Sequence, residues 1–321
     1  MLLDLAAPSV LAAALLLDAL IGDPRWLWGR VPHPIALLGG LIDWLDRRLN
    51  RRDAATRHLR GIVVLVLVTT LAAFTGWVIV AITDLIPFGW LIEAFCASVL
   101  IAQRDLYVHV RRVAQGLRDE GLDGGRAAVA HIVGRDPKRL DDHGVGRATI
   151  ESCAENFADG VVAPVFWFLL FGLPGMAAYK AVNTLDSMLG HKSESHRAFG
   201  AASAHFDDVV NWIPARLSAF IVVLGACFMT GSRPGEGLKA VFRDAPQHNS
   251  PNAGWPEAAF AGALGIAIAG PRQYGHETVD GAWMGDGRTD VTAEDIDRSL
   301  KLYVNACIIH GLIAVTLLTW L

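Results

Sequence analysis

Apolar residues in this chain gather in long runs separated by short polar stretches. Residues 61–83 carry no charge, and as a helix that run is long enough to cross a hydrocarbon core of about 30 Å. Residues 85–103 follow with Glu93 as their single charge, so the two runs read as a helical hairpin turning at Asp84. Residues 160–178, 213–230 and 302–321 meet the same conditions. Two further runs meet them in part: 3–21 holds Asp18, and 258–270 is short. The pattern predicts an all-α, polytopic helical membrane protein with about 5–7 segments. A re-entrant or half-crossing element is expected in 157–178 or 258–270. Residues 104–150 are polar instead, with helical periodicity from Leu106 to Leu117, a break at Gly121–Gly125 and a second helix from Arg126 to Val133. They read as a cytoplasmic helical insert within a single domain covering 1–321.

Composition supports a membrane as solvent, since 53% of the residues are apolar and mean hydropathy is +0.37. Lys and Arg number 28 against 32 Asp and Glu, a balance with no basic face for nucleic acid. Arg47, Arg48, Arg51, Arg52, Arg57 and Arg60 precede the first clean span. The positive-inside bias therefore places 43–60 and 104–150 in the cytoplasm, with the chain multi-pass in the cell (inner) membrane. Cys96, Cys153, Cys227 and Cys307 are too scattered for a zinc knuckle or a disulfide framework and read as packing residues. The N-terminal run lacks a basic n-region, which argues against a cleaved signal peptide.

Four polar blocks interrupt the apolar pattern. In the first, Arg147 to Gly160, the acids Glu151, Glu155 and Asp159 recur every four residues, which puts three carboxylates on one helix face beside Asn156. Like charges so spaced call for a cation, either Arg147 or a hard metal such as Mg2+; a solvated helix face is the plainer alternative. In the second, Lys180, Asn183 and Asp186 are one turn apart and could grip a Mg2+-bound phosphate. In the third, Asp207, Asp208, Asn211 and Arg216 repeat the theme, although either acid could simply cap a helix. The fourth, Arg243 to Glu257, contains His248, Asn249, Ser250 and Asn252 among prolines and glycines, and reads as a shaped, ligand-holding loop. Near the N-terminus, Gly22–Arg25 and Pro32–Pro34 form another rigid loop, with His33 between prolines. Motifs of the form GxxxxGK[ST], GxGxxG, HExxH and GxSxG are absent.

These blocks resemble the motif series of the CobD/CbiB family of cobalamin biosynthesis. The stretches that carry the likeness are IVGRD at 132–136, RATIESCAENFADGVVAPVFW at 147–167, YKAVNTLDSMLG at 179–190, DDVVNWIPARLSA at 207–219 and SPNAGWPEAAFAGALG at 250–265. The elements GDPRW and PHP extend it towards the N-terminus. The family's usual sequence at 190–200 is replaced here by GHKSESHRAFG, which puts the aminoalcohol preference in doubt.

The resemblance implies a carbon-nitrogen ligase, an adenosylcobinamide-phosphate synthase. It would use ATP and Mg2+ to join the carboxyl group of adenosylcobyric acid to (R)-1-aminopropan-2-yl phosphate or ethanolamine phosphate. Its implied partners are those substrates, the lipid bilayer and the enzymes of later nucleotide-loop assembly. On this reading Glu151, Glu155, Asp159 and Asp186 hold the metal. Lys180, Lys192, Arg147 and Arg216 receive phosphoryl groups, and Asp207 or Asp208 takes the amine's proton. Asn156, Asn183, Asn211, His248, Asn249, Ser250 and Asn252 orient substrates, and Trp212 or Trp255 packs on a ring system. Two rival readings are an intramembrane transferase acting through Mg2+–pyrophosphate, which the Asp and Asn helix starts would suit, and a transporter or channel with an acidic ion path.

Overall fold

The computed structural model describes residues 6–51, 53–134, 136–190, 196–274, 277–279 and 281–320. Helices α1 (Ala6–Leu20), α2 (Arg25–Trp28), α3 (Pro34–Leu49), α4 (Ala54–Thr83) and α5 (Trp90–Ser98) come first, then α6 (Gln103–Asp119), α7 (Gly121–Val129) and α8 (Asp142–Phe157). A π-helical turn, Ala158–Val162, leads from α8 into α9 (Ala163–Leu189). After it come α10 (Ala201–Val210), α11 (Trp212–Ala226), α12 (Pro234–Asp244) and α13 (Gly254–Leu264). Strands β1 (Ile268–Ala269), β2 (Arg272–Tyr274), β3 (Glu277–Val279) and β4 (Trp283–Met284) make two short antiparallel pairs, β1 with β4 and β2 with β3. Helix α14 (Ala293–Trp320) closes the described chain. The all-α class holds.

Two compact units share these elements, both interleaved in sequence. The first comprises residues 1–102, 163–211 and 314–321. Its α4 packs on α9 and α10, and α3 packs on both α4 and α9. Ile42, Val64, Val68, Val182, Leu185 and Phe199 fill one core there, while Leu11, Ala14, Ala97, Phe168 and Met176 fill another under α1 and α5. Helix starts are capped locally. Asp53 accepts the Thr56 backbone N–H at α4 (3.0 Å), and His33 Nδ1 accepts that of Ile35 at α3 (3.1 Å).

Helix α9 breaks at Gly172, whose φ of 63° lies in the left-handed region, two residues before Pro174. Proline removes one backbone donor and glycine admits the turn, so the break follows from this pair.

The second unit comprises residues 103–162 and 212–313. Helix α13 is its centre, buried from Pro256 to Leu264 among α8, α11 and α12. Phe157, Phe260, Ile266, Ile268 and Tyr303 are fully or almost fully buried around it. Within the 104–150 segment the expected break at Gly121–Gly125 is instead the start of α7. These glycines let α7 lie close on α6, since a Cβ on Gly116 would sit 2.7 Å from the Gly124 carbonyl oxygen.

Among the described residues three helical runs are long and apolar enough to cross a membrane: α4, the continuous run Asp142–Leu189, and α14. A fourth arises if α10 and α11 count as one broken span. These three to four full-length runs agree with the all-α membrane class expected from the sequence. The 85–103 run makes only the nine-residue α5, roughly 14 Å long at about 1.5 Å per residue. The 258–270 run is core rather than span.

Candidate functional site

In the first unit, the polar side chains of the second and third blocks come together where the end of α9 packs on α10. Tyr179, Asn183 and Asp186 recur at helical spacing on α9, and Ser203, Asp207 and Asn211 do so along α10 and its C-cap. The Tyr179 hydroxyl donates to Asn211 Oδ1 at 2.9 Å, and Asn211 Nδ2 donates to Asp207 Oδ2 at 2.9 Å. That chain fixes which way round the Asn211 amide lies. It also leaves Asp207 Oδ1 with no hydrogen-bond partner, although the residue is only 8% exposed. One turn earlier on α10, the Ser203 hydroxyl is fully buried and likewise unpartnered.

Asp186 is the strongest like-charged neighbour of Asp207, with Asp208 contributing less, and the Asn183 amide also hydrogen-bonds the Asp207 carboxyl. Gly190 leaves room for Asp186, because a Cβ there would stand 1.9 Å from Asp186 Oδ1. Lys180 and Asp208 are half-buried on the same two helices. Lys192 lies outside the described residues.

In the second unit, the 245–256 loop builds a different site. Ser250 Oγ accepts the backbone N–H groups of Asn252 and Ala253, both at 3.2 Å, and His248 Nδ1 accepts that of Ser250 at 3.0 Å. His248 Nε2 faces the buried carboxylate of Glu257 at 3.7 Å. Asn252 Oδ1 in turn accepts from Arg216 Nη1 at 3.3 Å, and the same nitrogen donates to the Trp212 carbonyl at 2.7 Å. The Arg216 guanidinium lies between two indoles, 4.1 Å from the Trp212 ring and 4.4 Å from that of Trp255. Such stacking holds a planar cation in one orientation while leaving its edge for an oxyanion. Asn249 is exposed at the loop surface.

The first polar block behaves differently from expectation. Glu151 is buried and its Oε1 accepts the backbone N–H of Ala269 at 3.0 Å. Ala269 has a φ of 62°, so this carboxylate secures a strained β1 backbone. Glu155 is exposed, and Asp159 lies half-buried in the π-helical turn, whose wider winding moves it out of the row. Among the described residues no three His, Cys, Asp or Glu side chains converge to hold a metal ion. Within the second unit, Glu151, Glu155 and Asp159 thus do not converge as a ligand cluster.

Arg147 donates to the Thr289 carbonyl at 2.6 Å and faces the Trp283 ring, and Asn156 donates to Ser152. Both serve the local fold. His33 caps α3 and faces Asp23 at 3.3 Å, which accounts for it without a substrate.

Sequence reasoning assigned no role to Tyr179, Ser203 or Glu257. The first two stand one turn before Asn183 and Asp207 respectively, a spacing that marks them as members of the same helix faces. The environment of Glu257 depends on a loop that folds back onto it, and no local pattern announces that.

A model of the family described as CobD/Cbib protein matches residues 11–303. A Sinorhizobium protein named cobalamin biosynthesis protein CobD is 50% identical over 303 residues, covering 93% of this chain and 94% of the relative. A protein of the same name from Brucella suis biovar 1 is 49% identical, covering 92% and 91%. Another, from Rhodobacter capsulatus, is 41% identical over 96% and 97%. No solved structure gives a significant match.

Proposed function

Because the chain belongs to the CobD/CbiB family, we propose that it is the carbon-nitrogen ligase that joins adenosylcobyric acid to (R)-1-aminopropan-2-yl phosphate or ethanolamine phosphate, giving adenosylcobinamide phosphate. The observation that carries this reading is the stacked Arg216, a permanently charged, oriented receptor for a substrate oxyanion. A carboxylate does not react with an amine, and ATP with Mg2+ supplies the phosphoryl group that activates it.

The residues of each unit have their own part. In the second, Arg216 holds an anionic substrate group by its open edge. Trp212 and Trp255 fix its plane, and the His248–Ser250–Asn252 turn fixes the loop that carries Trp255. In the first, Asp186 and Asp207 suit Mg2+, which is commonly held by one or two carboxylates together with substrate phosphates. The bare Asp207 Oδ1 supports that fit. Lys180, one turn before Asn183, meets phosphate charge, and Asp208 takes the proton of the attacking amine. The arginines at 47–60 favour a cytoplasmic side for the first unit's part, where ATP is available.

Purified protein in detergent, supplied with adenosylcobyric acid, an aminoalcohol phosphate, ATP and Mg2+, is expected to form adenosylcobinamide phosphate with one ATP consumed per amide. Failure of the wild-type protein to form that product under these conditions overturns the reading.

A further inference from the structure

We infer that α9 and α10 build a divalent-cation site in which the Ser203 hydroxyl and Asp207 Oδ1 are oxygen ligands alongside Asp186, and that Tyr179 and Asn211 are positioning residues for it. Ser203 and Asp207 are four apart on α10, so their side chains lie on one face. Both are more than nine-tenths buried, and each has a polar oxygen with no hydrogen-bond partner. Leaving such an atom bare in a folded interior is unfavourable. Two of them on one face beside a second carboxylate mark a place shaped for a hard cation with oxygen ligands.

The relay from Tyr179 through Asn211 supplies the orientation. An amide whose oxygen accepts the Tyr179 hydroxyl must turn its NH2 to Asp207 Oδ2. Asp207 is thereby held through its Oδ2. Gly190 lies against the Asp186 carboxylate, where a Cβ would stand 1.9 Å from Oδ1.

The identity of the cation rests on the ATP- and Mg2+-dependent reading above, while the site itself is tested with metal alone. Mn2+ binding to the purified full chain in detergent is followed by electron paramagnetic resonance, with folding checked by circular dichroism. Asp207→Asn is expected to weaken Mn2+ by at least about 100-fold. Tyr179→Phe, which removes a supporting hydroxyl, is expected to weaken it by about 10-fold to 100-fold, and Ser203→Ala, which removes a ligand, by at least as much. Asp43→Asn, which breaks the surface pair with Arg47, should leave affinity unchanged.

Equal Mn2+ affinity in wild type and Asp207→Asn overturns the site, as does a wild type that binds methylammonium there and no Mn2+. If Tyr179→Phe lowers the melting temperature but leaves Mn2+ affinity intact, the relay is merely structural and the positioning role fails. Should Asp207→Asn not fold, unchanged affinity in Ser203→Ala overturns the site on its own. A chain that binds Mn2+ as expected but forms no amide leaves the cation site standing and refutes the reaction.

Discussion

The two units keep charge in an apolar chain by opposite means. In the second unit three buried carboxylates have partners supplied by the fold. Glu151 takes a backbone N–H, Asp244 takes Arg243 in a bidentate pair and the Gly285 N–H, and Asp295 takes Arg288 and Arg298. In the first unit, Asp207 and Ser203 are buried with an oxygen left bare. A charge satisfied by its own chain is architecture, whereas a buried polar atom without a partner persists when something outside the chain completes it. Arg216 stands between the two cases, held on both faces and open at its edge.

The largest test of this contrast is Arg216 itself. Arg216→Ala is expected to lower kcat/KM by about 10²–10³-fold, the scale of a lost preorganised contact to developing charge. Arg216→Lys should recover little, because an ammonium cannot stack as a planar fork between two indoles. Full activity in the lysine variant would reduce the cage to a point charge.

A smaller effect separates architecture from chemistry at Glu151. Glu151→Ala leaves the Ala269 N–H buried without an acceptor and should cost about 1–3 kcal/mol of stability. Glu151→Gln keeps an acceptor oxygen and should fold and turn over with an unaltered Mg2+ dependence. A shifted Mg2+ titration in the glutamine variant would return Glu151 to the metal.

The smallest effect concerns the exposed end of the Asp244–Arg243 pair. Arg243 hydrogen-bonds Asp286 and holds its carboxyl below the ordinary range. A depressed carboxyl contributes stability above its unfolded pKa, and that contribution is lost as pH falls below about 4. Asp286→Asn should therefore cost less than about 1 kcal/mol at neutral pH, as for exposed pairs. The difference from wild type should vanish in acid, which thermal melts at two pH values would measure.

Much of the site was legible wherever a helix period carries it. Asn183 with Asp186, and Asp207 with Asn211, stand at the spacing that a helix turns into a shared face, and the structure joins the two pairs through Tyr179. The same periodic argument misled at Glu151, Glu155 and Asp159, because an extra residue in the π-helical turn breaks the row and a distant backbone N–H claims Glu151. His248 and Ser250 were correctly placed in a shaped loop, yet their polar atoms are spent on holding it. Glu257 stayed invisible because its neighbour His248 reaches it only after the loop closes.

By itself the sequence determined the helical class, the apolar runs, the polar blocks and the family, since periodicity, hydropathy and motif spacing are local properties of the chain. Only the tertiary structure decided which apolar run faces what. Helix α4 shows Val63, Val66, Leu67, Phe74 and Trp77 outward, while α13, just as apolar, is enclosed. Hydropathy cannot separate these cases, because lipid and a protein interior are equally dry. The same holds for the polar groups: whether Glu151 or Asp207 keeps an open oxygen depends on donors such as Ala269 and Asn211, and only folding brings the first of these, 118 residues away, within reach.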